Sequence, residues 1–222
     1  MKSEASRVLS AYGKFGRHSG SIDQINLDFV EREATPEFLM KLSIQLYLSR
    51  LSLSNTVSVL KIFDVERARS TVHNWVHKAD LQPTSGKSPD HVAVDETVIH
   101  LNDERYWLYA AVDSATNQLL HTSLEPTTNT GLAEVFLAEL SEKHDVADAV
   151  FLIDGAHSLQ VASHRVGCDF RYEKHGNRNA VERFFREIKR RTISFSNCFR
   201  NASADTADDW LRSFSFAWNQ FI

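Results

Sequence analysis

The sequence predicts an α/β domain built on a mixed sheet, preceded by a small all-α domain. Three observations predict it. Apolar residues recur at helical spacing through residues 36–82. The stretch LQPTSGKSPD (81–90) then places Pro83, Gly86 and Pro89 close together and breaks regular structure. Beyond it, short runs rich in β-branched and aromatic residues alternate with helical segments, the first of them DHVAVDETVIH at Asp90–His100.

A chain of 222 residues suits one large or two small domains and can bury a proper core. No apolar run is long enough to span a bilayer, and the start, MKSEASRVLSAYGKFG, lacks the apolar centre of a signal peptide. No membrane partner is expected. Cys168 and Cys198 make no disulfide framework, which fits a reducing cytoplasm. His164 and Cys168 have helical i, i+4 spacing, but two ligands do not make a zinc site. The net charge of −4 conceals an asymmetry: residues 1–90 carry +2, 91–170 carry −10, 171–200 carry +6 and 201–222 carry −2. An acidic body with a basic strip would suit work at high salt, and the strip itself is an electrostatic footprint for nucleic acid.

Residues 1–35 are polar, with one apolar patch at Ile22–Val30, and read as a loosely held arm or docking segment. The domain at 36–82 opens with Pro36 in the first turn of a helix carrying Phe38, Leu39, Leu42 and Leu46. Ser52 or Ser54 caps a second helix with Val57, Leu60 and Ile62. A third runs through Val65–Ala79, with Ala68, Val72, Trp75, Val76 and Ala79 inward. Three short helices with tight turns fit a helix-turn-helix. Arg67, Arg69, Ser70, Thr71, His73 and Asn74 on the third could then meet phosphates and base edges in a major groove. An ordinary three-helix bundle with a solvated face is the alternative.

After a linker at 83–90 the second domain, 91–222, follows. Asp90–His100, Arg105–Asp113 and Gln118–Glu125 read as strands, the last two a hairpin turning at Ser114–Asn117. Leu132–His144 is helical, Ala149–Asp154 is a buried parallel strand, Ala156–Val166 is helical, and Phe170–Glu173 is a last short strand. Asn179–Thr192 and Ala207–Phe221 are helices, the latter with an apolar stripe of Trp210, Leu211, Phe214, Ala217, Trp218 and Phe221 suited to core or dimer contact. The order β-β-β-α-β-α-β-α is the ribonuclease H-like topology. It sets the first and fourth strands side by side mid-sheet, with their carboxyl ends the usual place for a site.

Three acids fall where that topology would gather them: Asp95 on the first strand, Asp154 ending the fourth, and Glu182 on the basic helix. Each has an ordinary reading. A strand Asp can be satisfied by backbone donors, Asp-Gly is a common turn, and Glu182 with Asn179 makes a capping box. Alternation alone does not choose between Asp95 and Glu96. Together, three carboxylates repel and raise their own pKa values unless cations intervene. Oxygen-only ligands favour Mg²⁺ or Mn²⁺, and two such ions about 3.5–4 Å apart would clamp the attacking and leaving oxygens of a phosphoryl transfer. Arg178, Glu182, Arg186 and Lys189 fall at steps of four, four and three. They would thus form one DNA-facing side, opposite Val181, Phe184, Phe185 and Ile188.

The segments VAVDET, RYWLYAAVDSAT, FLIDGA and HGNRNAVERFFREIKRRT closely resemble the D-D-E insertion-sequence transposases, specifically the IS-six group and its archaeal relatives. The likeness runs from about Phe29 through Ile222 and includes the helix-turn-helix. It implies an integrase-type catalytic core with Asp95, Asp154 and Glu182 as the metal-binding triad. Lys189, seven residues after the Glu, corresponds to the basic residue that accompanies it. The interval of 28 residues from Asp154 to Glu182 is shorter than is usual in that superfamily. The implied protein is cytoplasmic, nucleoid-associated when acting, and works as a homodimer or higher oligomer on terminal inverted repeats and target DNA. It would nick DNA and join the 3′-hydroxyl to a target. A non-enzymatic helix-turn-helix regulator, or a hydrolytic nuclease of the same fold, are the rival readings.

Overall fold

The computed structural model describes residues 22–29, 35–192, 199 and 201–221. Most of the expected N-terminal arm, residues 1–21 and 30–34, lies outside them, as do Cys198 and residues 193–197. The chain divides after Leu81 into two compact units.

The first unit is all-α. Helix α1 (Glu37–Leu48) starts from the Pro36 carbonyl, which accepts from Leu39 N at 2.8 Å. It buries Leu39, Met40, Ile44, Tyr47 and Leu48, a face rotated from the expected Leu42–Leu46 side. Ser52 caps α2 (Leu53–Ile62), its Oγ accepting from Asn55 N at 3.1 Å. Leu60 is buried there, but Ile62 is 77% exposed. Helix α3 spans Arg69–Lys78, shorter than the expected Val65–Ala79. The reason is local. Asp64 turns the chain at φ +58°, Val65 N donates back to Leu60 O, and the N-cap, Ala68, has no side-chain oxygen to start a helix earlier. Val72, Trp75 and Val76 are fully buried, as their spacing required.

The second unit is a five-stranded mixed sheet in the order β3-β2-β1-β4-β5. Strands β1 (His91–Leu101), β2 (Glu104–Asp113) and β3 (Leu119–Glu125) form an antiparallel meander. Strands β4 (Val150–Ile153) and β5 (Phe170–Tyr172) add on in parallel beyond β1. This is the ribonuclease H-like arrangement. Helices α4 (Thr130–Lys143) and α5 (His157–Val166) close one face over Val92, Val94, Tyr109, Ala111, Leu120, Phe151 and Ile153. On the other, α6 (Asn179–Thr192) lies on β1 and β2, and α7 (Ala204–Phe221) lies on β3. Val181, Phe184, Ile188, Trp210, Leu211 and Phe214 fill that layer. The stripe expected on the last helix is therefore core, with the Phe221 side chain outside the described residues.

Two polar devices hold the edges. The segment at 83–90 has no regular structure, yet it is tied to the second unit. Gly86 N donates to Lys143 O at 2.8 Å, Lys87 N to His144 Nδ1 at 3.2 Å, and Ser88 Oγ to Asp145 Oδ2 at 3.1 Å. At the outer edge, Leu119 N donates to Asn219 Oδ1 at 2.7 Å, and Asn219 Nδ2 donates to Leu119 O at 2.8 Å. A side-chain amide thus takes the place of a neighbouring strand beside the bulge at Ala111–Val112. Asn219→Ala leaves a part-buried donor and acceptor without these partners. It should lower unfolding free energy by about 1–3 kcal/mol in urea titrations without changing the m-value.

Candidate active site

Strand register sets the first two carboxylates level. Ala93 pairs with Leu152 in the parallel β1–β4 ladder, so Asp95 and Asp154 each lie two residues further towards the carboxyl ends. Alternation turns Asp95 towards the α6 layer and Glu96 to the α4–α5 side, where Glu96 is paired with Tyr109 of β2. Asp154 ends β4 in a tight turn, its Oδ1 accepting from Ala156 N at 2.9 Å, which leaves Oδ2 for the site.

The third carboxylate arrives by a constructed turn. Glu173 follows β5, its backbone N donating to Ile153 O at 2.9 Å. Glu173 Oε1 accepts from Asn177 N at 2.7 Å, and Oε2 accepts from Arg171 Nη2 at 2.6 Å. Gly176 has φ +84°, which favours glycine, and a Cβ there would stand 2.8 Å from Glu173 Oε1, so that carboxylate would have to shift. A 3₁₀ turn, Gly176–Arg178, then hands the chain to α6 and Glu182.

At the centre is Arg178. Its Nη1 donates to Glu182 Oε1 at 2.7 Å, and Nη2 donates to Asp154 Oδ2 at 3.1 Å and to Asp95 Oδ2. The residue is 5% exposed. The sequence grouped Arg178 with Arg186 and Lys189 on one side of the helix; the structure places it apart from them, bonded to the acids. It precedes α6 instead of riding on its outer face, and the three anions draw it inward. The glycine in HGNRN was the available signal that the helix had not yet begun. Asp95 is the most enclosed of the three acids, with side-chain exposures of 13%, 37% and 44% for Asp95, Asp154 and Glu182.

Burial pushes the Asp95 carboxyl up to about 6, with the Asp154 and Glu182 charges adding to it against the pull of Arg178. Burial also pushes Glu96 up to about 7, helped by the Asp95 and Asp154 charges. Glu96 Oε2 is buried without a hydrogen-bond partner among the described residues. Sequence reasoning left Glu96 only as a substitute for Asp95. The structure makes it a fourth carboxylate near the same point, on the opposite face. The donor set is oxygen-only and suits a hard divalent cation. Among the described residues, no three His, Cys, Asp or Glu side chains are spaced to hold a metal as they stand. The carboxylates are gathered around a guanidinium instead.

The other expected residues divide. Arg186 and Lys189 are exposed on α6 and line an open cleft of about 610 Å³ with Val98, Ile99, His100 and Arg190. His100 and Arg190 went unnoticed in the sequence, because only the β1–α6 packing brings them together. In the first unit, Arg69, Ser70 and Asn74 are exposed on α3, and Thr71 and His73 are half-buried. His73 Nε2 lies 3.3 Å from His77 Nε2. Arg67 stands before the helix, its Nε donating to Thr35 Oγ1 at 2.9 Å and Nη1 to Glu66 O at 2.6 Å. It is off the helix on which the sequence placed it.

The strand order and the carboxylates at the ends of β1 and β4 define a ribonuclease H-like protein with a candidate acid centre. Within that class, the chain belongs to the family of the uncharacterized protein MJ0017 of Methanocaldococcus jannaschii. The two are 30% identical over 177 residues, which cover 78% of this chain and 82% of that protein. No family model matches the chain. Among solved structures it is similar to the catalytic core domain of BIV integrase, with TM-score 0.41 and 16% identity over 57% of this chain and 82% of that one. It is also similar to the HTLV-2 integrase catalytic core domain in complex with magnesium, with TM-score 0.43 and 16% identity over 62% and 90%.

Raised carboxyl pKa values carry a sign. Between their ordinary values of 3.8 and 4.5 and the raised ones near 6 and 7, Asp95 and Glu96 hold more protons folded than unfolded. Their contribution to stability is therefore present at low pH and lost as pH rises through that window. Glu96→Gln should gain on the wild type between pH 5 and pH 7.5 in chelator. Urea midpoints at the two pH values measure it, and a constant difference between the proteins would contradict the burial argument.

Proposed function

We propose that the chain is a D-D-E transposase of the insertion-sequence type, related to the IS-six group. One observation carries the reading. Three separate segments, β1, the β4 turn and α6, deliver Asp95, Asp154 and Glu182 to one guanidinium at the carboxyl ends of adjacent parallel strands. Asp95, Asp154 and Glu182 would hold Mg²⁺ or Mn²⁺, as two ions. Bound there, the cations would supply an activated nucleophile and charge neutralisation at a scissile phosphate. The chain's own part is positional. Asp95 is fixed by the sheet, Asp154 by its turn, and Glu182 by the first turn of α6.

Substrate binding would fall to two surfaces. Arg186 and Lys189 on α6 offer cations to the DNA backbone beside the acids. In the helix-turn-helix reading of the first unit, Arg69, Ser70, Thr71, His73 and Asn74 read the element's terminal inverted repeats, with Arg67 a flanking phosphate contact. Strand transfer on two ends calls for a homodimer or higher oligomer on DNA.

The test is the full chain with Mg²⁺ and DNA carrying the flanking ends of its own gene. Joined strand-transfer products are expected. Nicks without joining would indicate a hydrolytic nuclease, and end binding without nicking a regulator. Asp95→Asn and Asp154→Asn should each abolish cleavage and joining while end binding, measured by mobility shift, persists. Lys189→Ala should keep its melting temperature and lose about tenfold or more in joining, which corresponds to roughly 1.4 kcal/mol of transition-state stabilisation. Full activity in that variant would remove α6 from the DNA interface. Arg69→Ala should weaken end binding, with a salt slope shallower by about one unit if its contact is a phosphate.

A further inference from the structure

We propose that Arg178 is the resting cation of the carboxylate cluster and that a DNA phosphate draws it out, so that divalent metal and DNA enter the site cooperatively. This rests on the metal-binding reading of Asp95, Asp154 and Glu182. Three observations support it. The Arg178 guanidinium bonds all three carboxylates while 95% buried, and its Nε is buried with no hydrogen-bond partner among the described residues. In the arrangement with Arg178 bonded to all three, no three His, Cys, Asp or Glu side chains among the described residues are spaced to hold a metal. The guanidinium and a divalent cation would contend for the same oxygens, and like charges at that separation repel. Arg178 also sits on the 3₁₀ turn that precedes α6 and not within the helix.

What replaces its three anions must itself be an anion. A guanidinium matches a phosphate in the same two-pronged way it matches a carboxylate. The phosphodiester proposed to react at this cluster would be the nearest such group. Transfer of Arg178 from carboxylates to phosphate vacates the acid oxygens for metal and adds a contact to the substrate. By linkage, DNA then raises metal affinity as much as metal raises DNA affinity.

The experiment measures Mn²⁺ binding to the full chain by the EPR signal of free Mn²⁺, with and without duplex DNA carrying its own ends. The wild type should bind Mn²⁺ about tenfold more tightly with DNA than without, within the usual range of coupling between sites. Arg178→Gln should bind Mn²⁺ about tenfold more tightly than the wild type in the absence of DNA, and DNA should add little. Its melting temperature in chelator should fall, because the acids lose their cation, and Mn²⁺ should raise it by more than it raises the wild type. Arg178→Lys keeps a charge but not the fork and should lie between the two. It carries the test alone should Arg178→Gln not fold. Equal Mn²⁺ affinity in wild type and variants, with binding intact, overturns the role of Arg178 alone. No Mn²⁺ binding by any form, with or without DNA, overturns the metal site as well.

Discussion

Like charges placed side by side at the end of a sheet impose the constraint on which the second unit depends. The parallel register of β1 and β4 sets Asp95 and Asp154 at the same level, and Glu96 adds a further carboxyl next to Asp95. Burial makes ionisation of such groups unfavourable, and mutual repulsion makes it more so. A fold that keeps acids there must supply a cation at the same point. In this chain the cation is Arg178, and residues 171–178 are built to deliver it. Arg171 holds Glu173, Glu173 holds the Asn177 amide, and Gly176 makes room for that carboxylate. The turn then ends at Arg178, whose fork reaches all three acids.

Much of this fold could be read directly. Strand and helix bounds from β1 to α6 follow from alternation, β-branched runs and turn dipeptides, since a strand pattern in a two-layered core has few other solutions. The position of β4 beside β1 followed from the order of elements, because parallel strands need a crossover and α4 provides it. The limits were of two kinds. Arg178 and Glu182 have an i, i+4 spacing that describes an exposed helical pair equally well, and only the tertiary position of Asp95 and Asp154 turns the arginine inward. Likewise the start of α3 depended on a backbone turn at Asp64 and on a missing cap at Ala68, neither of which hydrophobic periodicity reports. The rotated face of α1 has the same origin, since leucines lie on more than one side of that helix.

Helix α6 joins the two halves of the argument. Its inner side, Val181, Phe184, Phe185 and Ile188, is buried against the sheet and the aromatic side chains of α7, with Phe184 5.7 Å from Trp218 and 6.4 Å from Phe214 between ring centres. Trp218 Nε1 in turn donates to Asn117 O at 3.0 Å, and Arg183 bonds the Asn117 side chain. The β2–β3 turn, α7 and α6 therefore brace one another. That bracing fixes the azimuth of α6, and with it the direction in which Glu182, Arg186 and Lys189 project. A rotation of the helix by one residue, about 100°, would carry Glu182 away from Arg178.

Exposure within the acid cluster has a gradient that bears on how a substrate would reach it. Asp95 is enclosed by the sheet, whereas Asp154 and Glu182 are more than a third exposed, and Arg178 lies beneath them. Any anion approaching the cluster therefore meets Asp154 and Glu182 first, both paired with the arginine below. Farther along the same helix, Arg186 and Lys189 present cations on the open cleft beside β1. A polyanion drawn to those cations would bring phosphates towards the acids from the exposed side. There, as proposed, the guanidinium already partnered by carboxylates exchanges them for phosphate oxygens. On the proposed reading, the basic strip of α6 and the buried arginine are successive stages of one electrostatic path. Its order is set by burial: exposed cations attract, and the enclosed one is released last.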